Sequence, residues 1–113
     1  MRLNDKLKAV VEAAESRKAL DVVALDLANL SIVADHFVIC SGGSTLQVQA
    51  IADAIMAEAG PARMEGYREA RWICLDLGDV VAHVFHREVR EYFDLERLWG
   101  DASRVDLVAQ AAL

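Results

Sequence analysis

An almost wholly apolar run, His36 to Ser41, stops at Gly42-Gly43 and passes straight into an amphipathic segment that carries a helix-start signal. No other stretch constrains the fold as much. A strand apolar on both faces belongs inside a sheet that is covered on both sides. The segment after it opens with Ser44 and Gln47 at capping-box spacing. A hydroxyl there serves one orphan amide, and an amide side chain reaches back. Val48, Ile51, Ala52, Ile55, Met56 and Ala59 then recur on one helical face. Gly60 reads as a left-handed cap, and Pro61 as the residue that cannot continue the helix.

The other elements fall around this pair. Leu3, Leu7, Val10, Val11 and Ala14 share one face of a first helix, with Asn4 and Asp5 near its start and Arg17 and Lys18 near its end. Val22, Val23, Leu25 and Leu27 mark a first strand, and Asn29 to Asp35 reads as a loop. Arg71 to Leu77 and Val80 to His86 read as two further strands, joined by Gly78-Asp79 as a two-residue turn with glycine first. A strand, a helix and another strand imply a parallel crossover, and the hairpin adds an antiparallel strand. The expected fold class is α/β (α+β), a mixed sheet with flanking helices, in one domain over residues 1–113. Near the end, Val89, Tyr92 and Phe93 form one apolar face and Leu95, Leu98 and Trp99 a displaced one, with Asp94 placed to cap the second. After Gly100 only Val105, Leu107 and Val108 suggest a short apolar turn.

Composition narrows the function. The net charge is −6, from 18 acids and 12 bases. Extensive phosphate contact wants lysine and arginine, so little direct nucleic-acid binding is expected. A basic protein partner suits the surface better, although such a charge also serves plain solubility. No stretch approaches the roughly 20 apolar residues that span a bilayer, and Met1 to Val11 lacks a signal peptide's apolar block. A cytoplasmic protein without a membrane role is the expectation. Cys40 and Cys74 sit alone in apolar runs and read as buried free thiols.

A catalytic reading finds little footing. Gly42-Gly43-Ser44 could cradle a phosphate at a helix N-terminus, as a glycine-serine turn does in nucleotidyltransferases. That chemistry also needs paired carboxylates to hold a divalent metal. Asp76 and Asp79 are three apart across a turn, and Asp21 and Asp26 are five apart, so neither pair shares a strand face. His83 and His86 point to opposite faces of a strand, and His36 starts another, so no metal site is expected. No cofactor is expected either.

An interaction surface remains. Trp72, Cys74 and Asp76 share one face of their strand, and Ile73, Leu75 and Leu77 share the other, which reads as core. The neighbouring strand lays either Val81, His83 and Phe85 or Val80, Ala82, Val84 and His86 beside Trp72. Tryptophan and tyrosine are common binding anchors, because they bury much area with few rotors. The plainer alternative is that the aromatics fill the core.

The ordered residues themselves resemble a family. Ala24-Leu25-Asp26-Leu27, then Asp35 through Gly42, Gln47-Val48 through Asp53, Glu65-Gly66, Trp72, Leu75 through Phe85, and Tyr92 through Trp99 are similar to the signatures of the ribosomal silencing factor (Iojap-related) proteins, in order and at family spacing. The resemblance implies a nucleotidyltransferase-like fold without its catalytic carboxylates and no enzymatic activity. It implies binding to ribosomal protein fourteen of the large subunit, which sterically blocks the small subunit and damps translation. It also implies a homodimer among the forms that members take. Carried onto this chain, the partner-binding residues would be Trp72 as anchor, Asp76, Asp79 and Glu96 as acidic contacts, and His83, Tyr92, Leu95 and Trp99 as shapers of the patch, with Trp99 equally open to a core role. The competing functions are a nucleotide-binding enzyme and a homodimeric module for some other partner.

Overall fold

The computed structural model describes residues 3–28, 30–31, 34–100 and 102–105, with Leu3 and Asn4 described in backbone only. The elements are α1 (Leu3–Ser16), β1 (Leu20–Asp26), β2 (His36–Gly42), α2 (Thr45–Ala59), β3 (Arg63–Glu65), β4 (Trp72–Asp76), β5 (Val80–His86), α3 (Arg87–Phe93), α4 (Leu95–Leu98) and β6 (Ser103–Arg104). The strands form one sheet in the order β3-β4-β5-β2-β1-β6.

β2 and β5 lie at its centre and pair in parallel, His36 opposite Val80 through Gly42 opposite His86. Every other pairing is antiparallel. The parallel partner of β2 is therefore the second arm of the hairpin, not the first strand after the helix. The reason lies in the side chains. From Val80 to Phe85 every residue of β5 is buried, so β5 takes a place covered on both faces. β4 ends in exposed Asp76 and takes the outer place. The turn between them forms as expected: Gly78 sits at φ +92°, and the Leu77 amide donates to the Val80 carbonyl at 2.9 Å.

α1 and α2 cover one face of the sheet. Leu7, Val10, Val11 and Ala14 from α1 and Val48, Ile51, Ala52 and Ile55 from α2 meet Val38, Cys40, Ile73, Leu75, Val80, Ala82 and Val84. Each fully buried valine, leucine or isoleucine side chain here contributes on the order of 1.5–3 kcal/mol relative to exposure. Lys6 Nζ ties α1 to the β4–β5 turn through the Leu77 carbonyl at 2.9 Å. The start of α2 is capped twice: Ser44 Oγ accepts from the Gln47 amide at 3.1 Å, and Gln47 Oε1 accepts from the Gly43 amide at 2.7 Å. The side chain thus reaches back one residue further than the usual capping box.

Three local expectations change. Gly60 is extended (φ −66°, ψ −177°), not left-handed. Pro61 follows it, and a residue before proline is pushed out of helical space. A Cβ at Gly60 would lie 2.4 Å from the Met56 carbonyl oxygen, which accounts for the glycine. Asp94 is the left-handed end of α3 (φ 42°) and makes no side-chain cap for α4. Arg17 and Lys18 fall just beyond α1, in the turn that leads to β1. The expected loop Asn29 to Asp35 is described in part, with Asn29, Ile32 and Val33 outside the described residues. In the tail, the Val105 amide donates to the Ala24 carbonyl at 2.9 Å and its side chain packs on the helix-covered core. Leu107 and Val108 lie outside the described residues.

Candidate functional site

The second face of the sheet is covered only in part. Leu25, Leu27, Ile39, Phe85 and Val89 form a smaller core there, flanked by half-buried Val23, Phe37, Trp72, Leu95 and Trp99. Register selects between the two arrangements left open above. Trp72 lies opposite Phe85, Cys74 opposite His83 and Asp76 opposite Val81. Trp72 therefore shares its face with Val81, His83 and Phe85, while Val80, Ala82 and Val84 face the helices.

Aromatic rings run across this face in unbroken contact. Trp99 meets Phe37 edge-on with centroids 5.7 Å apart, and Phe37 meets His83 edge-on at 4.5 Å. His83 meets Trp72 at 5.8 Å, Trp72 meets Phe93 at 4.7 Å, and Phe93 meets Tyr92 at 5.2 Å. Phe85 lies under the row, stacked on Trp72 at 5.0 Å. Edge-on and offset contacts of this kind add about 0.5–1.5 kcal/mol each beyond the area they bury. At one end the row opens to solvent, where Tyr92 is 83% exposed and Phe93 41%; Leu98, next to Trp99 in the chain, is 73% exposed. Tyr92 and Phe93 are large apolar groups exposed side by side, the kind of feature that makes this face a candidate interaction surface.

His83 is the polar member of the row. It is 6% exposed, and its Nδ1 accepts a hydrogen bond from Trp72 Nε1 at 3.1 Å. Burial lowers its pKa to about 4, so the ring is neutral near pH 7. Its Nε2 is buried and has no hydrogen-bond partner among the described residues.

The acidic candidates divide. Asp76 is exposed, and its Oδ1 accepts from the Gly78 amide at 2.9 Å. Asp79 is exposed in the same turn, and its carbonyl accepts from the Asp35 and His36 amides at 2.8 and 3.1 Å. Glu96 is committed inside the molecule. It accepts from Arg90 Nε at 2.9 Å and lies 3.5 Å from Arg104. Arg90 also donates to Ser41 Oγ at 2.9 Å and to the Leu20 carbonyl at 3.3 Å, so it joins α3 and α4 to β1 and β2. These groups line a cleft of about 740 Å³ together with Asp21, Arg87 and Glu91.

The structure thus brings Trp72, His83, Tyr92, Leu95 and Trp99 to one face and sets Asp76 and Asp79 at the hairpin end. Phe37 and Phe93 belong to the row and were not among the site residues named from sequence. Phe37 was hidden because β2 is apolar at nearly every position, which erases the alternation that would have revealed its face. Of the two thiols, Cys40 is buried, and burial pushes it up to about 12 against a smaller opposing pull from Arg90. Cys74 is half-buried, a correction to the expectation of two buried thiols. No three His, Cys, Asp or Glu side chains among the described residues are grouped so as to hold a metal ion. No helix among them is long and apolar enough to cross a membrane.

Comparison with known proteins identifies the family and the fold. Residues 1–112 match the family described as "Ribosomal silencing factor during starvation". A Bacillus subtilis protein named ribosomal silencing factor RsfS is 50% identical over 106 residues, covering 89% of this chain and 90% of the relative. A Halalkalibacterium halodurans protein of the same name is 47% identical over 112 residues, covering 95% and 96%. A crystal structure of a Chromobacterium violaceum protein superposes with a TM-score of 0.84 at 35% identity, over 88% of each chain. On a match that spans nearly its whole length, this chain belongs to the ribosomal silencing factor family.

Proposed function

We propose that this chain silences translation in the cytoplasm by docking its aromatic face on the large ribosomal subunit, at ribosomal protein fourteen, and so excluding the small subunit. The observation that carries the reading is the row of rings from Trp99 to Tyr92, open to solvent at Tyr92 and Phe93, with exposed Leu98 next to Trp99 in the chain. Trp72 lies in the middle of the row and is half-buried, which suits an anchor that completes its burial against a partner. Asp76 and Asp79 place negative charge at one end, complementary to a basic protein surface. Glu96 has a different part here from the one expected: with Arg90 and Arg104 it braces α4, which carries Leu95 and Leu98.

In this reading the protein works by occupying space, without turnover of a substrate. The test is sedimentation of the protein with separated large subunits, followed by addition of small subunits. Co-sedimentation with large subunits alone, and fewer joined ribosomes, is the expected result. Free sedimentation of the protein and undiminished joining would end the proposal. A second copy of the chain is the other occupant this face could take, because Tyr92 and Leu98 are so exposed. Self-association that large subunits reverse would place both partners on the same surface.

A further inference from the structure

We propose that His83 is the positioning residue of this surface: as a neutral imidazole protonated on Nε2, it holds the Trp72 indole in the orientation that a partner meets. The inference rests on the docking role of Trp72 and adds the group that sets its geometry.

An indole has one polar atom, a donor, and a half-buried tryptophan takes its orientation from whatever accepts that hydrogen. Here the acceptor is His83 Nδ1 at 3.1 Å. An acceptor nitrogen carries no proton, so the neutral ring must carry its hydrogen on Nε2. His83 cannot easily move in response. It lies on central β5, paired with β2 on one side and β4 on the other, and Phe37 presses on its ring at 4.5 Å. The acceptor is therefore more rigid than the donor it holds.

The ring contacts of Trp72 constrain its rotation less sharply than this hydrogen bond does. Phe85 stacks on it at 5.0 Å with an interplanar angle of 28°, and Phe93 lies at 4.7 Å and 46°. Ring contacts of this type tolerate sliding within the ring plane, whereas a hydrogen bond weakens steeply with angle. The arrangement also has a cost that packing alone does not explain. Nε2 is buried with no hydrogen-bond partner among the described residues, and a buried donor left so is unfavourable. A phenylalanine or leucine would fill the same place on the sheet without that penalty. What histidine supplies there, and a hydrocarbon cannot, is an acceptor aimed at the indole.

The test compares His83→Asn with His83→Leu. Asparagine places Oδ1 near the position of Nδ1 and keeps the acceptor, whereas leucine removes it. Two readouts are needed. The first is the Trp72 indole N–H signal in a ¹H–¹⁵N spectrum, assigned against Trp99 with a Trp99→Phe chain. The second is affinity for isolated large subunits. His83→Leu is expected to fold, to shift the Trp72 indole signal toward that of a free N–H, and to bind about tenfold more weakly, an effect the size of one ordinary hydrogen bond. His83→Asn is expected to keep the signal near its native position and to recover most of the affinity. An unmoved indole signal in a folded His83→Leu chain overturns the proposal. So does equal weakening by both substitutions, which would mean that bulk and not the acceptor matters. If the wild-type chain does not bind large subunits, the docking reading fails, and the indole signal alone then decides whether His83 orients Trp72. Should both substitutions unfold the chain, the same comparison is made with Trp72→Phe. That substitution keeps the stack but lacks the donor, and wild-type affinity in it overturns the proposal.

Discussion

Arg90 and Glu96 face each other across the break between α3 and α4, with Nε 2.9 Å from Oε1 and both side chains mostly buried. Asp94 turns the chain left-handed between them, so the pair closes a corner that backbone bonding alone leaves open. Because Arg90 also serves Ser41 and Leu20, its removal breaks hydrogen bonds on three elements, those to Glu96 and Ser41 in part-buried surroundings. Arg90→Ala is expected to cost about 1–3 kcal/mol in urea unfolding, and Glu96→Gln roughly 1 kcal/mol. The exposed Lys8–Glu12 pair, 4.0 Å apart, is the internal control and should contribute less than about 0.5 kcal/mol. Equal effects at the two pairs would remove the bracing role assigned to Arg90.

Trp72→Ala is expected to weaken binding to large subunits by about 2 kcal/mol, close to thirtyfold. Asp76→Asn and Asp79→Asn act differently. Each should slow association at low salt and leave dissociation nearly unchanged, because exposed charges steer encounter more than they hold a complex together. Stopped-flow association across a salt series separates the two classes. A wild-type association rate independent of salt would take the acidic residues out of the mechanism.

The stability of the chain should fall as the pH drops through the range below neutrality. Burial holds the folded pKa of His83 near 4, against 6.5 for the ordinary group, with Cys74 opposite it on β4 and Ile39 on β2. The sign follows from proton binding. The unfolded chain takes up a proton below about 6.5 that the folded chain refuses until about 4. The contribution is intact above pH 6.5, declines toward pH 4 and then levels off, for a total of roughly 3 kcal/mol. Urea midpoints measured along that range for wild type and His83→Asn provide the check. Parallel curves would show that His83 is not the group responsible.

The two thiols should react in order. The pKa of Cys74 is raised by burial first and then by Asp76 and Glu65, yet its side chain is half-buried and reachable. Cys40 is sealed in the helix-covered core. A thiol reagent at pH 8 is expected to label Cys74 slowly in the folded chain and Cys40 only on unfolding, because the thiolate is the reactive form. Labelling of both at one rate would contradict the burial of Cys40.

Among the glycines, Gly66 has the least room for a side chain. It sits at φ +83°, and a Cβ there would lie 2.2 Å from the carbonyl oxygen of Trp72. Gly66→Ala should therefore displace the start of β4 as well as strain the turn, with a loss of at least about 1–2 kcal/mol. Far-ultraviolet melting together with the Trp72 indole signal would record both effects. A substitution neutral in both would mean that the turn relaxes freely.

Much of this architecture was legible along the chain. The spacing of Val48, Ile51, Ala52 and Ile55, the Ser44–Gln47 cap, the glycine at position 78 and the alternation from Trp72 to Leu77 are relations between residues a few positions apart, and short-range sterics and hydrogen bonding decide them. The small strands Arg63–Glu65 and Ser103–Arg104 exist only through pairing with β4 and β1, so nothing local announces them. The parallel pairing of β2 with β5 was likewise a competition for the sheet's interior, which β5 won by being apolar on both faces.

The candidate site divides in the same way. Trp72, Tyr92 and Trp99 could be named from residue type, and the face shared by Trp72 and Asp76 from alternation. That Trp72 reaches His83, that Phe37 bridges His83 to Trp99, and that Glu96 turns inward to Arg90 are contacts between residues on different elements. Folding sets such contacts by register and by which face two short helices happen to cover. A property of neighbouring residues can be read in order along the chain. A property of distant residues exists only once the sheet has brought them together.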